Sequence, residues 1–479
     1  MLKHKLIKGA IWNSISQFGS QAINFILIII LARLLMPKDF GLLGQVGVIT
    51  SLMGYFTEFG IVPSLIQKKS LNKTDCDTAF FGMFFFALIG YVTVYLIAPL
   101  VSLFYGDDSL VLLTRVVFIQ FLIAPISLVN EALERKQLNY NRITFAELSS
   151  LFISGIVGIV LAYKGHGVWS LVWQSLLKVL IRSSIIIHLT DWRPGLSFSF
   201  NCFINYTKSG AHFTYRNITM YLSENMDFLI IGKLLGPGIL GIYNLAFRMS
   251  NYPFAKVQQI FGQMLFPAFS SFNDDITRMR NNYFKLSFYG GVFLIPLLII
   301  IYFSIGDIVN LLLGDKWIET IPVVKVLVIY LLFSSISFAD EPLLIAVNKI
   351  KSINVIKTLI TLFLIVAGYY FTLKYGIIGM AVTLTVLSII NVLFVKILLI
   401  KSLNINIFEY VRIMIEPILI MVSCIIFFSL YNYFTQFFLL SSVSYLIGIS
   451  FLFIIIMGFY LIWKGIIDIN RRNINFEAF

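Results

Sequence analysis

Residues 32–41 read Ala32-Arg33-Leu34-Leu35-Met36-Pro37-Lys38-Asp39-Phe40-Gly41, and residues 232–241 read Gly232-Lys233-Leu234-Leu235-Gly236-Pro237-Gly238-Ile239-Leu240-Gly241. The shift between them is 200 residues. Further along, Tyr105-Gly106-Asp107 recurs as Leu313-Gly314-Asp315 at a shift of 208, and Gly167-Val168-Trp169 is echoed by Gly376-Ile377-Ile378 at a shift of 209. Gly and Pro return in short loops for turn reasons alone. A nearly constant shift asks for more than that, and it predicts an internal repeat of about 200 residues.

What lies between these breaks is apolar. Of 479 residues, 59% are hydrophobic and 12% charged, whereas globular domains carry about 45–50% apolar and about 25% charged residues to cover a wet surface. A single core stops growing near ~250–300 residues, so the excess needs lipid as its solvent. Stretches near the ~20 residues that cross a bilayer fall at 10–34, 40–66, 78–104, 110–133, 143–163, 168–189, 210–234, 240–266, 283–306, 320–346, 353–374, 377–400, 411–431 and 440–463. The expected fold is an all-α integral membrane protein of about fourteen helices. Its organisation is an N-lobe of six spans (1–189), an amphipathic linker (190–209), a C-lobe of six spans (210–400), and two added helices with a tail (401–479). A shift of six spans keeps both copies in one orientation, which predicts an axis along the membrane normal and a cleft between lobes.

The formal charge of +13 comes from 36 Lys and Arg against 23 Asp and Glu. Cytoplasmic loops collect Lys and Arg; the basic excess therefore reports topology rather than nucleic acid. Segments 1–9, 67–77, 134–142, 190–209, 267–282, 347–352, 401–410 and 464–479 hold most of these cations, which predicts both termini on the cytoplasmic side. MLKHKLIKG and the apolar run after it lack a convincing small-residue cleavage site and read as a retained first helix. Cys76, Cys202 and Cys424 are far apart and the four His are scattered, so neither a disulfide framework nor a metal centre is indicated. Phosphate loops and nucleophile elbows are missing as well.

Ionisable groups at bilayer depth cost at least ~2.5–3.5 kcal/mol each, so those retained should face protein or a wet cavity. Span six holds Lys178 and Arg182, spans seven and eight hold Arg216, Arg248 and Lys256, and Tyr221 and Asn251 lie among them. Guanidinium and ammonium groups suit phosphate, while aromatic faces with Asn suit hydroxyl-rich ligands. These seven are the candidate substrate-binding residues. The competing reading is that the cations snorkel to headgroups or pair with acids such as Asp227. Glu224 and Asp227, three apart, are candidate carriers for H+ or Na+. The segment from Asp191 to His212, with Trp192, Pro194, Phe198, Phe200, Phe203 and Tyr206, reads as an amphipathic stretch on the inner surface that acts as a hinge.

Leu31 to Gly44, Phe59-Gly60-Ile61-Val62-Pro63-Ser64-Leu65-Ile66-Gln67, Glu134-Arg135-Lys136-Gln137-Leu138-Asn139-Tyr140, Met226 to Gly236, Tyr243-Asn244-Leu245-Ala246 and Gly314-Asp315-Lys316-Trp317 resemble the bacterial polysaccharide and O-antigen flippases of the multidrug/oligosaccharidyl-lipid/polysaccharide exporter superfamily. The resemblance runs over residues 5 to 400. It implies two six-helix lobes around a V-shaped cavity that move an undecaprenyl-diphosphate-linked oligosaccharide by alternating access, without cofactor and driven by an ion gradient. Glu58 stands where such proteins often carry an acid and joins the ion-coupling candidates. The implied partners are the lipid-linked glycan, membrane lipid and other polysaccharide assembly proteins. A drug exporter of the same superfamily, a peptidoglycan-precursor flippase and a membrane polymerase or ligase remain as alternatives; short outward loops count against the last.

Overall fold

The computed structural model describes residues 2–270, 276–403, 419, 421–431, 433, 467–468 and 473–474. The described residues are helical almost throughout: α1 (Leu2–Leu34), α2 (Pro37–Glu58), α3 (Ile61–Gln67), α4 (Lys73–Tyr105), α5 (Ser109–Val117), α6 (Ile119–Ile123), α7 (Pro125–Lys136), α8 (Tyr140–Tyr163), α9 (Val168–Leu189), α10 (Phe200–Ser270), α11 (Ile276–Ile308), α12 (Thr320–Ile336), α13 (Asp340–Ala346) and α14 (Ile350–Leu403). A two-residue pairing of Ile467–Asp468 with Asn473–Ile474 is the exception among the described residues. The protein is an all-α integral membrane protein. Among the described residues nine helices are long and apolar enough to cross a bilayer, or ten when the bent pair Ser109–Ile123 and Pro125–Lys136 counts as one span. That pair bends by 43° at Pro125, which lacks the amide proton a continuous helix needs.

Two of these helices carry two expected spans each. In α14 the chain turns back at Gly376: a side chain added at Gly368 would touch Met380 at 3.0 Å, and one at Gly379 would strike the Phe371 carbonyl at 2.1 Å. Twelve residues along a straight helix span about 18 Å, so these approaches require reversal. In α10 the break is at Gly236 (φ 79°, ψ 179°). The first twelve expected spans thus fall on described helices. The thirteenth is represented by a short apolar helix, Met421–Tyr431, and the fourteenth lies outside the described residues.

The repeat read from the sequence is written in the backbone. Gly167 (φ 55°, ψ −133°) opens α9, and Gly376 (φ 63°, ψ −148°) opens the second half of α14. Side chains are excluded from this region of φ/ψ space, so both positions call for glycine. Gly106 and Gly314 also share positive φ. A fourth match is conformational, between residues of different type. Leu138 (φ 62°) and Asn348 (φ 59°) end α7 and α13, with the Asn139 N–H donating to the Glu134 carbonyl and the Lys349 N–H to that of Leu344. Each is a left-handed helix stop of the same type.

Two compact units divide the contacts, Met1–Gly241 and Ile242–Phe479. In the first, α8 lies between α1 and α9, while α2, α4, α5 and α9 enclose Leu42, Val46, Leu110, Leu113, Val172 and Leu176. Close approach relies on small residues, as lipid-borne helices require; Gly155 of α8 lets Leu27 of α1 come so near that a methyl would sit 2.6 Å from it. In the second unit α11, α12, α13 and α14 pack around Tyr283, Phe284, Phe338, Leu343 and Leu399. Between α9 and α10, residues 190–199 are irregular chain with a bend at Leu196 and α10 begins at Phe200, so the stretch expected as an amphipathic linker is part irregular chain and part helix.

Candidate functional site

The bend at Pro125 and the antiparallel packing of α8 on α9 bring the ionisable groups of spans four to six together. Lys178 and Arg182, one turn apart, share a face of α9. Lys178 Nζ lies 2.9 Å from Glu147 Oε1. Arg182 spans two acids, with Nη2 2.7 Å from Glu131 Oε2 and Nε 3.2 Å from Glu147 Oε2. Arg135 adds a longer contact to Glu131 at 3.7 Å, and Ser127 donates to Glu131 at 3.4 Å. The Glu131 side chain is 3% exposed and that of Arg182 28%. An unpaired ion at this depth costs several kcal/mol, and pairing is what allows both signs to stay. The two cations predicted for span six therefore sit in an ion-pair network, and a ligand would meet them already bonded to carboxylates.

Alongside it, α2 and the first half of α10 run antiparallel. Gly60 abuts Gly210 at one end, and Gln45 Nε2 donates to the Gly232 carbonyl at 3.1 Å near the other. Midway, Tyr221 OH donates to the Val48 carbonyl at 2.9 Å, Asn225 donates to the Tyr221 carbonyl at 3.0 Å, and the rings of Tyr55 and Tyr221 meet edge-on at 5.8 Å. Tyr55 is within electrostatic reach of both Glu58 and Glu224. Glu58 also feels Glu131, Arg135 and Arg182. Tyr55 thus packs against Tyr221, with Glu58 and Glu224 of the same two helices within electrostatic range of it. Glu58 and Glu224 are exposed, whereas Asp227 is buried. Aromatic rings and carboxylates are groups that can meet sugar C–H faces and accept from sugar hydroxyls.

The remaining candidates lie further along α10. Arg248 is exposed and its Nε donates to Asn244 Oδ1 at 2.9 Å, and Asn251 is half-buried. Arg216 and Lys256 stand on α10, but their side chains lie outside the described residues.

At the far end of the α2–α10 pair the two copies of the 200-residue motif meet. A methyl built on Gly41 would lie 1.6 Å from the Pro237 carbonyl oxygen, and one on Gly241 would lie 1.8 Å from that of Pro37. The contact is reciprocal, each partner shifted by 200 residues. Only glycine permits this approach at either position.

Sequence reading missed one cluster. In the second unit Lys396 Nζ lies 2.8 Å from Asp340 Oδ1 and donates to Tyr283 OH at 3.0 Å and to the Ile336 carbonyl at 3.2 Å, while Tyr283 OH donates to Asp340 at 2.8 Å. Asp340 stands 209 residues after Glu131, and Lys396 lies on the helix that repeats α9. Each repeat therefore joins an acid on the short helix after its fourth-span bend to a cation from its sixth span. The signal was a lone lysine inside the apolar run Asn391 to Ile400, which requires a buried partner.

Helices, repeat and intramembrane polar groups define a multi-pass membrane protein with a transporter-like architecture; among the described residues no three His, Cys, Asp or Glu are grouped to hold a metal ion. The chain belongs to the polysaccharide biosynthesis protein family Polysacc_synt_3, whose pattern matches residues 30–322. It is 29% identical over 409 residues to the lipopolysaccharide biosynthesis protein WzxC of Escherichia coli K12, covering 84% of this chain and 82% of that one. To the teichuronic acid biosynthesis protein TuaB of Bacillus subtilis 168 it is 22% identical over 421 residues, covering 87% and 86%. The fold matches that of the lipid II flippase MurJ in an inward closed conformation with a TM-score of 0.71 at 17% identity, over 94% of this chain and 98% of that one. The resemblance read from the Phe59 to Gln67 and Met226 to Gly236 motifs is borne out at the level of family and fold.

Proposed function

We propose that the protein is a flippase that carries an undecaprenyl-diphosphate-linked oligosaccharide across the bacterial cytoplasmic membrane by alternating access, with both termini cytoplasmic. The observation that carries this reading is the Glu58–Tyr55–Tyr221–Glu224 patch beside a neutralised ion network, within a family of polysaccharide biosynthesis and a fold shared with a lipid II flippase. A sugar diphosphate cannot cross bare hydrocarbon, because unpaired charge there costs tens of kcal/mol by Born solvation. A polar path offers substitutes for water, while the isoprenoid tail stays in lipid, where each CH₂ holds it by about 0.8 kcal/mol. Arg216, Arg248 and Lys256 attract the diphosphate. Lys178 and Arg182 contribute through their paired network, and Tyr221 and Asn251 meet the sugar. Glu58, Glu224 or Asp227 exchanges H+ or Na+ to couple transport to an ion gradient. No bond is made or broken and no cofactor takes part.

Deletion of the gene tests the reading. Surface polysaccharide should disappear and the lipid-linked oligosaccharide should accumulate, detected by mass spectrometry of extracted lipids. Complementation with Arg248→Ala or Lys256→Ala should fail to restore polymer at normal protein level. Normal polymer with no accumulated intermediate in the deletion strain would refute the assignment, and full rescue by both variants would remove those two residues from the site.

A further inference from the structure

Leu196-Ser197-Phe198-Ser199-Phe200 alternates apolar and polar residues. The chain here is irregular, with a bend at Leu196, and its exposure alternates residue by residue: Leu196, Phe198 and Phe200 are exposed, Ser197 and Ser199 half-buried. Towards α4, Gly195 N–H donates to Asp77 Oδ1 at 3.0 Å, Ser197 OH to Asp77 Oδ2 at 2.5 Å, and Ser199 N–H to Thr78 Oγ1 at 3.0 Å. Those bonds fasten the segment to the first turns of α4. On the other face Leu196 is 96% exposed, with Phe198 and Phe200 exposed beside it. The exposure belongs to an anchored backbone, not to a free loop.

These apolar side chains form one wall of a groove of about 580 Å³ whose opposite wall is Phe81, Phe84, Phe85 and Leu88 of α4, a size within the roughly 300–1,000 Å³ of small-ligand sites. Phe81 to Leu88 rise about 10 Å along the helix, much of one leaflet's ~15 Å of hydrocarbon. Below Phe81 the same helix face continues through Asp77 to Lys73, each one turn apart. Lys73 Cε lies 3.1 Å from where a Gly195 side chain would begin, and Arg193, two residues earlier, is exposed and tethered by its guanidinium to the Thr190 and Trp192 carbonyls. Trp192 packs near Phe80 at 6.1 Å, as a ring at the headgroup level does. Lys73 and Arg193 thus stand on the two elements that wall this aromatic groove, each a few residues before the lining begins. The groove lining is Phe, Leu and Gly, which suits a hydrocarbon chain.

We infer that the groove between α4 and the 190–200 segment holds an acyl chain of an anionic phospholipid, its phosphate seated between Lys73 and Arg193. The bound lipid extends the attachment of this segment to α4. The inference stands whatever substrate the protein carries.

The full chain, purified and stripped of lipid, is to be loaded with phosphatidylglycerol or phosphatidylcholine of identical chains and examined by native mass spectrometry. Juxtamembrane cations contribute roughly fivefold each to anionic lipid binding, so phosphatidylglycerol should be retained about 30-fold better, and Lys73→Gln/Arg193→Gln should bring the two lipids to parity. A phosphatidylglycerol with a diazirine in its chain should label peptides 81–88 and 196–203, and Leu196→Ser, on an exposed side chain that folding does not need, should reduce that labelling without altering headgroup preference. Equal retention by the wild-type chain, labelling confined to other helices, or displacement by a matching trace of polyprenyl phosphate would each overturn the inference; the last would assign the groove to an isoprenoid.

Discussion

On the proposed alternating-access reading, the reciprocal contact of Gly41 with Pro237 and Gly241 with Pro37 parts and re-forms, and glycine at both positions is what lets it form. A methyl on Gly41 would stand 1.6 Å from the Pro237 carbonyl oxygen, where a close C···O contact needs about 3.3 Å. The backbones must separate by about 1.7 Å. Overpacking of this kind costs about 1–3 kcal/mol, enough to move a two-state equilibrium by roughly 5- to 150-fold against the closed crossing. Spin labels on cysteines at Lys38 and Gly238, shifted by 200 residues, report the separation by double electron–electron resonance in lipid nanodiscs. Gly41→Ala and Gly241→Ala should each lengthen the measured distance and lower surface polysaccharide, and the double variant should do so further. Gly47 lies on the same helix with nothing within 4 Å of an added Cβ, and Gly47→Ala should leave both readouts unchanged. Distance distributions identical to wild type in the Gly41/Gly241 double variant would refute the reasoning.

Lys396→Ala strands Asp340 without its cation and should destabilise the protein by about 3–5 kcal/mol, lowering its thermal midpoint in detergent; Lys396→Met/Asp340→Leu should recover most of the loss, and a single variant as stable as wild type would discredit the buried pair. Arg182→Gln should reduce membrane protein level by leaving Glu131 and Glu147 under-neutralised, with Arg182→Gln/Glu131→Gln partly restoring it, as read by immunoblot of membranes; a single variant that keeps full protein level but loses transport would instead argue for direct substrate contact. Burial first, then the hydrogen bond from its thiol to Asp75, raises the Cys202 pKa. A raised thiol pKa means less thiolate at any pH below it. Maleimide should therefore label Cys202 more slowly than a free thiol at pH 8, with the rate climbing as pH rises, and Asp75→Asn should accelerate labelling; labelling at the free-thiol rate would contradict the assigned environment.

Composition and the spacing of Gly and Pro determined the solvent, the helical class, the expected spans and the repeat, because transfer into lipid is summed residue by residue and left-handed turns are local demands on single positions. The paired breaks at Gly167 and Gly376 are that local demand met twice. The candidate site was legible only as a set of polar residues that needed partners. Which partner each one took was decided by tertiary packing: Lys178 with Glu147, Arg182 with Glu131 and Glu147, Lys396 with Asp340, Tyr221 beside Tyr55, and Gly41 against a carbonyl almost two hundred residues away. In water an amphipathic stripe would have told which face of each helix turns inward. In lipid both faces are apolar and no hydrophobic difference marks the inner one, so rotation and register are set by close packing and by the pairing of charges, and neither can be read along a single strand of sequence.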